Sequence, residues 1–173
     1  MRPKYLVASA LQEELTAFTN LLTNPATPLI EGIEQVIIEE ENVKIHVALF
    51  TADKMGMPYN SAKMMEIVRL INPAYTFFIG TCASFKDHAL GSVLVPHRAF
   101  AYESGKWEEN GFRSDYTGYD TGTFLRKQAG ILKSRIESLA SFKTVTDEDI
   151  CSGAAVIDNA AKVEEIKKIL QEK

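Results

Sequence analysis

A turn of small and hydroxyl-bearing residues follows a continuous apolar run at positions 75–79. The turn, Gly80 to Ser84, contains Gly, Thr, Cys, Ala and Ser. In open parallel sheets, ligands bind beyond the carboxyl ends of the strands, where small residues let backbone N–H groups approach. Thr81 adds a hydroxyl, so the turn is a candidate binding site. Its spacing alone is equally compatible with a tight turn that serves only packing.

The thiol of Cys82 has a simple structural interpretation. Cysteine is among the most often buried residue types, and no histidine lies close in sequence to act as its base. We therefore interpret Cys82 as a small buried hydrophobe rather than a nucleophile. Cys82 and Cys151 do not form a metal-binding spacing, and neither do His46, His88 and His97. We expect no metal and no cofactor.

Two acids, Glu13 and Glu14, fall in the first turn of a predicted helix. Acids at this position interact favourably with the helix macrodipole, by about 0.3–1 kcal/mol. The alternative is functional, because a carboxylate at a strand-to-helix junction can hold a water molecule. Since Leu15 belongs to the apolar stripe of the helix, Glu14 can point toward the mouth of the sheet. The spacing alone favours the structural interpretation.

The elements that must position these residues alternate between strands and helices. Residues 103–122 show no periodicity and are predicted as a long surface loop. Periodicity predicts strands at 4–10, 36–41, 43–50, 75–79, 91–102, 142–145 and 149–157, and helices at 12–22, 58–71, 122–140 and from 158 or 159 onward. The run at 75–79 is typical of a central parallel strand. The pattern predicts one α/β domain over residues 1–173, with a three-layer architecture and a mixed, mostly parallel central sheet. An unrelated flavodoxin-like α/β domain is the alternative.

Charge and hydropathy narrow the classes of partner. The 173 residues carry a formal net charge of −4, which argues against binding to a nucleic-acid backbone. No apolar run approaches the about 20 residues that cross a bilayer, and the start of the chain lacks a secretory signal. We expect a cytoplasmic protein that binds neither nucleic acid nor membrane.

Five segments, in this order, resemble the nucleoside phosphorylase superfamily and, within it, the methylthioadenosine/S-adenosylhomocysteine nucleosidase-like branch. No single motif decides the resemblance, but together they span nearly the whole chain. The segments are Ala-Leu-Gln-Glu-Glu-Leu at 10–15, Lys-Met-Gly-Met-Pro at 54–58 with Asn-Ser-Ala at 60–62, Ile-Asn-Pro at 71–73 leading to Ile-Gly-Thr-Cys-Ala at 79–83, Leu-Gly-Ser-Val-Leu-Val-Pro at 90–96, and Ser-Gly-Ala-Ala-Val-Ile at 152–157.

The resemblance implies a role for each matched position. Glu14 falls where nucleosidases place the acid that orients the attacking water. The implied substrate-binding residues are Gly56 in the glycine loop, Thr81 near the ribose or phosphate, Cys82 and Ala83 beside the base, and Ile157 with a main-chain contact to the purine. Val156 stands where nucleosidases commonly have a stacking Phe, so base stacking here is weakened or supplied elsewhere.

The charge around these positions distinguishes hydrolysis from phosphorolysis. A phosphorylase must stabilise a phosphate dianion, and the superfamily places arginines in the first loop and before the second glycine turn. Here those places hold Gln12, Glu13, Glu14 and Phe78, and the acids would repel phosphate. Water is therefore the expected nucleophile, and the expected reaction is N-ribosyl hydrolysis of an adenine nucleoside such as methylthioadenosine or S-adenosylhomocysteine.

The resemblance also implies missing parts, because the ribose-binding Glu and the purine-protonating Asp of the superfamily lie beyond the last helix seen here. We expect a domain that lacks its last strand and helices and is inactive, or nearly so, as an isolated chain. Two alternatives stay open, namely a non-catalytic nucleoside-binding or oligomerisation module and a phosphorylase with atypical phosphate ligands. The expected partners are a small-molecule nucleoside and further copies of the chain, as a homo-oligomer.

Overall fold

The computed structural model of the chain describes residues 3–40, 43–52, 57–84, 86, 88–114, 118–123, 127–131, 133, 144–145, 148–152 and 159–171. The chain divides into two compact units, Met1–Ala83 and Ser84–Lys173, called here the N-terminal and C-terminal units. No helix among these residues is long and apolar enough to cross a membrane. The assignment of a single domain to residues 1–173 stays a prediction.

The N-terminal unit is a five-stranded mixed sheet with a helix on each face. Its elements are β1 (Tyr5–Ser9), α1 (Gln12–Thr19), β2 (Thr27–Ile30), β3 (Ile33–Glu40), β4 (Val43–Thr51), α2 (Met57–Ile71) and β5 (Tyr75–Ile79). The strand order is β2-β3-β4-β1-β5. Strand β1 runs parallel to both β4 and β5, whereas β2, β3 and β4 form an antiparallel meander. The predicted α/β class with a mixed central sheet is confirmed.

The alternation of side chains along β1 explains why both faces of the sheet are covered. Leu6 and Ala8 pack on one face with Ile67 and Ile71 of α2. Val7 packs on the other face with Leu15 of α1. A strand that is buried on both faces needs apolar residues at every position, which is the pattern seen at 5–8. The core of the N-terminal unit therefore has two apolar layers, one between the sheet and α2 and one between the sheet and α1.

Several boundaries differ from those expected. Strand β2 was not predicted, and α1 ends at Thr19 because Asn20 forms its C-cap, so the chain turns before Leu22. Helix α2 ends as predicted, with Asn72 in the left-handed region at φ 52° just before Pro73. Strand β5 is parallel to β1 but lies at an edge of the sheet rather than at its centre, among the residues that the structure describes.

The C-terminal unit contains short strands and one long described helix. They are β6 (Val93–Leu94), β7 (Arg98–Ala101), β8 (Gly105–Glu108), β9 (Gly111–Ser114), β10 (Gly118–Asp120), β11 (Thr144–Val145), β12 (Ile150–Ser152) and α3 (Ala160–Gln171). Residues 127–131 are also helical. Strand β7 pairs with β10 and β12, and β6 pairs with β11. Thr123 and Lys133 are helical too, Gly122 is not, and the other residues of the helix predicted at 122–140 lie outside the described residues.

The prediction of an irregular loop over residues 103–122 is wrong. Strands β8 and β9 form an antiparallel hairpin in which Trp107 pairs with Phe112, their rings 5.4 Å apart between centroids. The hairpin turns at Glu109 and Asn110, and Gly111, the first residue of β9, has φ 119°. An Asn-Gly dipeptide between short β-prone segments is a strong hairpin signal, and the prediction of a loop overlooked it.

Two neighbouring acids hold the start of β12 in the C-terminal unit. Lys86 Nζ lies 2.7 Å from one carboxylate oxygen of Glu148, and His88 Nε2 lies 2.9 Å from the other. Arg98 Nη2 donates to Asp149 at 2.8 Å. Hydrogen bonds from Lys86 and His88 lower the pKa of Glu148. His88 is therefore part of a polar cluster that joins distant parts of the sequence.

Truncating the apolar core of the N-terminal unit should destabilise it strongly. Leu6 is fully buried between the sheet and α2, so Leu6→Ala should lower the free energy of unfolding by about 2–5 kcal/mol. Leu21 is 82% exposed, and Leu21→Ala should change it by less than about 0.5 kcal/mol. Urea unfolding followed by circular dichroism measures both variants. Equal effects of the two substitutions would contradict this assignment of the core.

The Glu148 cluster should make stability depend on pH. A carboxyl whose folded pKa is lowered stabilises the fold above its unfolded pKa, and this stabilisation is lost as pH falls through the folded pKa. Glu148→Gln should therefore lower the melting temperature at neutral pH but not at a pH below the folded pKa of Glu148. Thermal melts across this range, with Glu109→Gln as a control outside the cluster, test the expectation. A deficit that persists unchanged in acid would contradict it.

Candidate functional site

The candidate site lies where β1 and β5 end. These strands are parallel neighbours, and their last residues, Ser9 and Ile79, are directly paired. Because parallel strands end at the same edge of a sheet, the segments that follow them begin side by side. One segment leads into α1, which carries Glu14, and the other is the turn from Gly80. The sheet therefore brings together Glu14 and Thr81, two candidate site residues that are 67 positions apart in the sequence.

The carboxylate of Glu14 joins the two segments. Its Oε1 accepts hydrogen bonds from the backbone N–H of Thr81 at 2.9 Å and from the Thr81 hydroxyl at 3.1 Å. Its Oε2 accepts from the backbone N–H of Leu11 at 3.3 Å. The side chain of Leu11, the N-cap residue, has no polar atom to satisfy the free N–H groups of the helix, so Glu14 provides the side-chain contact at this helix end.

The surroundings of Glu14 complement a negative charge. Three N–H or O–H donors point at its oxygens, and it lies in the first turn of α1, where the positive end of the helix dipole favours acids. The structural and the functional interpretation of Glu14 are therefore compatible. It stabilises the helix start, and it also places a carboxylate at the mouth of the sheet.

Gly80 allows the Glu14 carboxylate to approach the backbone closely. A Cβ atom at position 80 would lie 3.2 Å from Oε1 of Glu14 and 3.4 Å from Oε2. The first distance is tighter than ordinary van der Waals contact, so the carboxylate would have to shift by a few tenths of an ångström to accept a Cβ. We expected small residues here to make room for a ligand. The structure shows that Gly80 makes room for Glu14, a reason that sequence spacing could not reveal.

The remaining predicted site residues have different outcomes. Cys82 is exposed, so the interpretation of its thiol as a buried hydrophobe is wrong; the residue follows the end of β5, beyond the part of the sheet that the helices cover. Ala83 is also exposed. Gly56, Val156 and Ile157 lie outside the described residues. Within the part of the chain that is described, no group of three or more His, Cys, Asp or Glu side chains could hold a metal ion.

A separate open groove of about 500 Å³ lies in the same unit, and neither Glu14 nor Thr81 lines it. Its walls come from the start of α1, the β2–β3 hairpin and the end of β4, including Gln12, Leu15, Glu34 and Thr51. The Thr51 hydroxyl is buried and has no hydrogen-bond partner among the described residues. The sequence does not reveal this groove, because the hairpin that forms one wall includes the unpredicted strand β2.

Adding a methyl group at Gly80 should loosen the Glu14–Thr81 contact. In Gly80→Ala the new Cβ displaces the carboxylate, so the backbone amide of Thr81 should exchange its hydrogen faster than in the parent chain. Gly122→Ala is the matched control, because a Cβ there meets no atom within 4 Å. Amide hydrogen exchange measured by NMR compares the two variants. Unchanged protection of Thr81 in Gly80→Ala would contradict the described packing.

Comparison with known proteins identifies the fold. No protein-family model and no curated protein matches the sequence. Among solved structures, the chain is similar to the native futalosine hydrolase of Helicobacter pylori strain 26695, with a TM-score of 0.72 and 18% identity over 99% of this chain and 72% of that one.

Two further solved structures match in the same way. The 5'-methylthioadenosine/S-adenosylhomocysteine nucleosidase of Campylobacter jejuni has a TM-score of 0.71 and 16% identity, over 98% of this chain and 72% of that chain. A putative nucleosidase of the same description from Francisella philomiragia has a TM-score of 0.72 and 12% identity, over 97% and 72%. The resemblance expected from the sequence is confirmed at the level of the fold: this chain has the α/β fold of these nucleosidase structures.

Proposed function

We propose that this chain is a purine nucleosidase-type domain that binds a nucleoside at the turn from Gly80 to Ser84. In this proposal Glu14 aligns water for hydrolysis of the N-ribosyl bond. The observation that carries the proposal is the contact of the Glu14 carboxylate with both the N–H and the hydroxyl of Thr81. This contact supports the proposal because it holds a carboxylate at the ends of two parallel strands, where open α/β sheets commonly bind ligands.

The hydrogen bonds of Glu14 leave it able to hold water. A carboxylate offers about four lone-pair directions, and three protein donors use three of them. The remaining direction can accept an O–H from a water molecule. A carboxylate fixed in this way can orient the water and take its proton as it attacks the sugar carbon, as a general base does.

The local charge supports water rather than phosphate as the nucleophile. Glu13 and Glu14 both lie in the first turn of α1, and their carboxylates would repel a phosphate dianion. At the end of β5, the residue before Ile79 is Phe78, which is uncharged and 54% exposed. Neither place offers a cation that could bind phosphate.

The proposed substrate is an adenine nucleoside such as methylthioadenosine or S-adenosylhomocysteine. Several structures of similar fold are nucleosidases for these compounds, and one from Helicobacter pylori holds 5'-methylthioadenosine in its active site. The similarity to futalosine hydrolase adds a second candidate substrate. Cys82 and Ala83 are proposed to lie beside the base, and Gly56, Val156 and Ile157 are proposed to complete the pocket.

We propose that hydrolysis by residues 1–173 is slow. Departure of a purine is assisted by an acid that protonates the ring, and loss of such an acid typically costs 10²–10⁴-fold in rate. In the described part of the N-terminal unit, Glu14 is the carboxylate that contacts Thr81, and it is assigned to the water. A non-catalytic nucleoside-binding or oligomerisation module is therefore the second candidate function, and Val156 in place of a stacking Phe favours it. The cytoplasmic location and the homo-oligomer stay predictions.

Replacing Glu14 tests its proposed role. Glu14→Gln keeps the shape of the side chain but cannot take a proton, so adenine release from methylthioadenosine should fall by about 10²–10⁴-fold. Binding of methylthioadenosine, measured by calorimetry, should change little. Glu13→Gln, which alters the neighbouring acid, should leave the rate unchanged. Equal rates for Glu14→Gln and the parent chain would exclude Glu14 as the base, and binding without any release of adenine would favour the binding module.

The choice of nucleophile has its own test. If water attacks the sugar, release of adenine should not depend on phosphate, and the sugar product should be the free ribose derivative. The parent chain is incubated with methylthioadenosine with and without phosphate, and both products are separated by chromatography. A sugar 1-phosphate that forms only when phosphate is present would establish the phosphorylase alternative.

A further inference from the structure

The hydroxyl of Ser9 makes a hydrogen bond to the start of α1. Ser9 is the last residue of β1 and is fully buried. Its Oγ donates to the backbone carbonyl of Leu11 at 2.8 Å. Because side chains alternate along a strand, Ser9 projects from the same face of the sheet as Val7, which is the face that α1 covers. The bond therefore ties the end of β1 to the residue that caps the start of α1.

The sheet holds the backbone of Ser9 on both sides. Ser9 pairs with Thr51 of β4 and with Ile79 of β5. Its carbonyl also accepts a hydrogen bond from the N–H of Ala52 at 3.1 Å. Since these contacts fix the backbone of Ser9, its hydroxyl donates from a fixed point. The partner whose position the bond determines is therefore the Leu11 carbonyl.

The backbone of Leu11 connects Ser9 to Glu14. The N–H of Leu11 donates to Oε2 of Glu14 at 3.3 Å. The carbonyl of Leu11 accepts from the Ser9 hydroxyl at 2.8 Å and from the N–H of Leu15 at 3.4 Å, which is the first hydrogen bond of the helix. The bond from Ser9 is the shorter of the two. Without the hydroxyl, the carbonyl would keep only the long bond, and the residue that holds Oε2 would be less firmly fixed.

We propose that Ser9 is a positioning residue, which holds the Glu14 carboxylate against Thr81 by fixing Leu11. It acts through Leu11 and not by contact with the reacting atoms. Its effect on hydrolysis rests on the proposed function, in which Glu14 aligns water. A carboxylate that orients a water molecule must be held at a fixed distance and angle. Loss of the Ser9 hydroxyl should therefore slow the chemical step and leave the affinity for the nucleoside unchanged.

Thr51 provides a matched control for Ser9. The two residues are direct partners in the pairing of β1 with β4. Thr51 lies two positions after Leu49, so it projects from the face that α1 covers, as Ser9 does. The Thr51 hydroxyl is buried but has no hydrogen-bond partner among the described residues. Thr51→Val therefore removes a buried hydroxyl without removing a hydrogen bond, whereas Ser9→Ala removes both.

Amide hydrogen exchange of the full chain, followed by NMR, tests the position of Glu14 without any need for activity. In Ser9→Ala the amides of Leu11 and Thr81 should exchange about 3–10-fold faster, the net contribution of one internal hydrogen bond. The amide of Val7, inside β1, should exchange as in the parent chain, and Thr51→Val should leave all three rates unchanged. Unchanged exchange at Thr81, equal acceleration at Val7, or the same acceleration in Thr51→Val would overturn the proposal.

A double-mutant cycle on adenine release from methylthioadenosine tests the same role in the reaction. Ser9→Ala should lower kcat by about 3–10-fold and leave KM unchanged. In a Glu14→Gln background the same substitution should cause no further loss, because it acts through Glu14. A loss of equal size in both backgrounds would overturn the proposal. A parent chain that releases no adenine would refute the proposed function alone, and amide exchange would then decide the role of Ser9.

Discussion

The parallel pairing of β1 with β5 is the constraint on which the rest of the site depends. It aligns Ser9 with Ile79, and so brings the start of α1 against the turn at Gly80. Without this register, the Glu14 carboxylate would not reach the Thr81 N–H and hydroxyl. The pairing is in turn held by burial of β1 on both faces, through Leu6 and Val7. A core interaction thus determines the geometry of a polar contact at the edge of the sheet.

The same strand, β5, has two different surroundings. Its inner edge is bonded to β1 and its end leads into the Glu14 contact, whereas Phe77 and Phe78 remain partly exposed. Apolar side chains on both faces are typical of a strand inside a sheet. Among the described residues, the position of β5 at an edge of the sheet is therefore unusual for its composition.

Much of the N-terminal unit could be predicted from the sequence because its elements have clear periodicity. Strand β4 begins at Val43, where the alternation of apolar residues begins. Helix α2 ends at Ile71, just before Asn72-Pro73. Strand β2 was missed because Pro28 interrupts a short segment. The role of Gly80 was missed for another reason, since it depends on an atom 66 positions away along the chain. Distance in sequence hides such contacts until the fold brings them together.

The contact between Glu14 and Gly80 also has a consequence for how the sequence can drift. A side chain at position 80 is disfavoured only while a long carboxylate occupies position 14, because the nearest atoms to a Cβ there belong to Glu14. If Glu14 were replaced by a short side chain, the constraint on Gly80 would disappear, and larger residues would be tolerated. The two positions should therefore be epistatic in evolution, with the acid lost before the glycine.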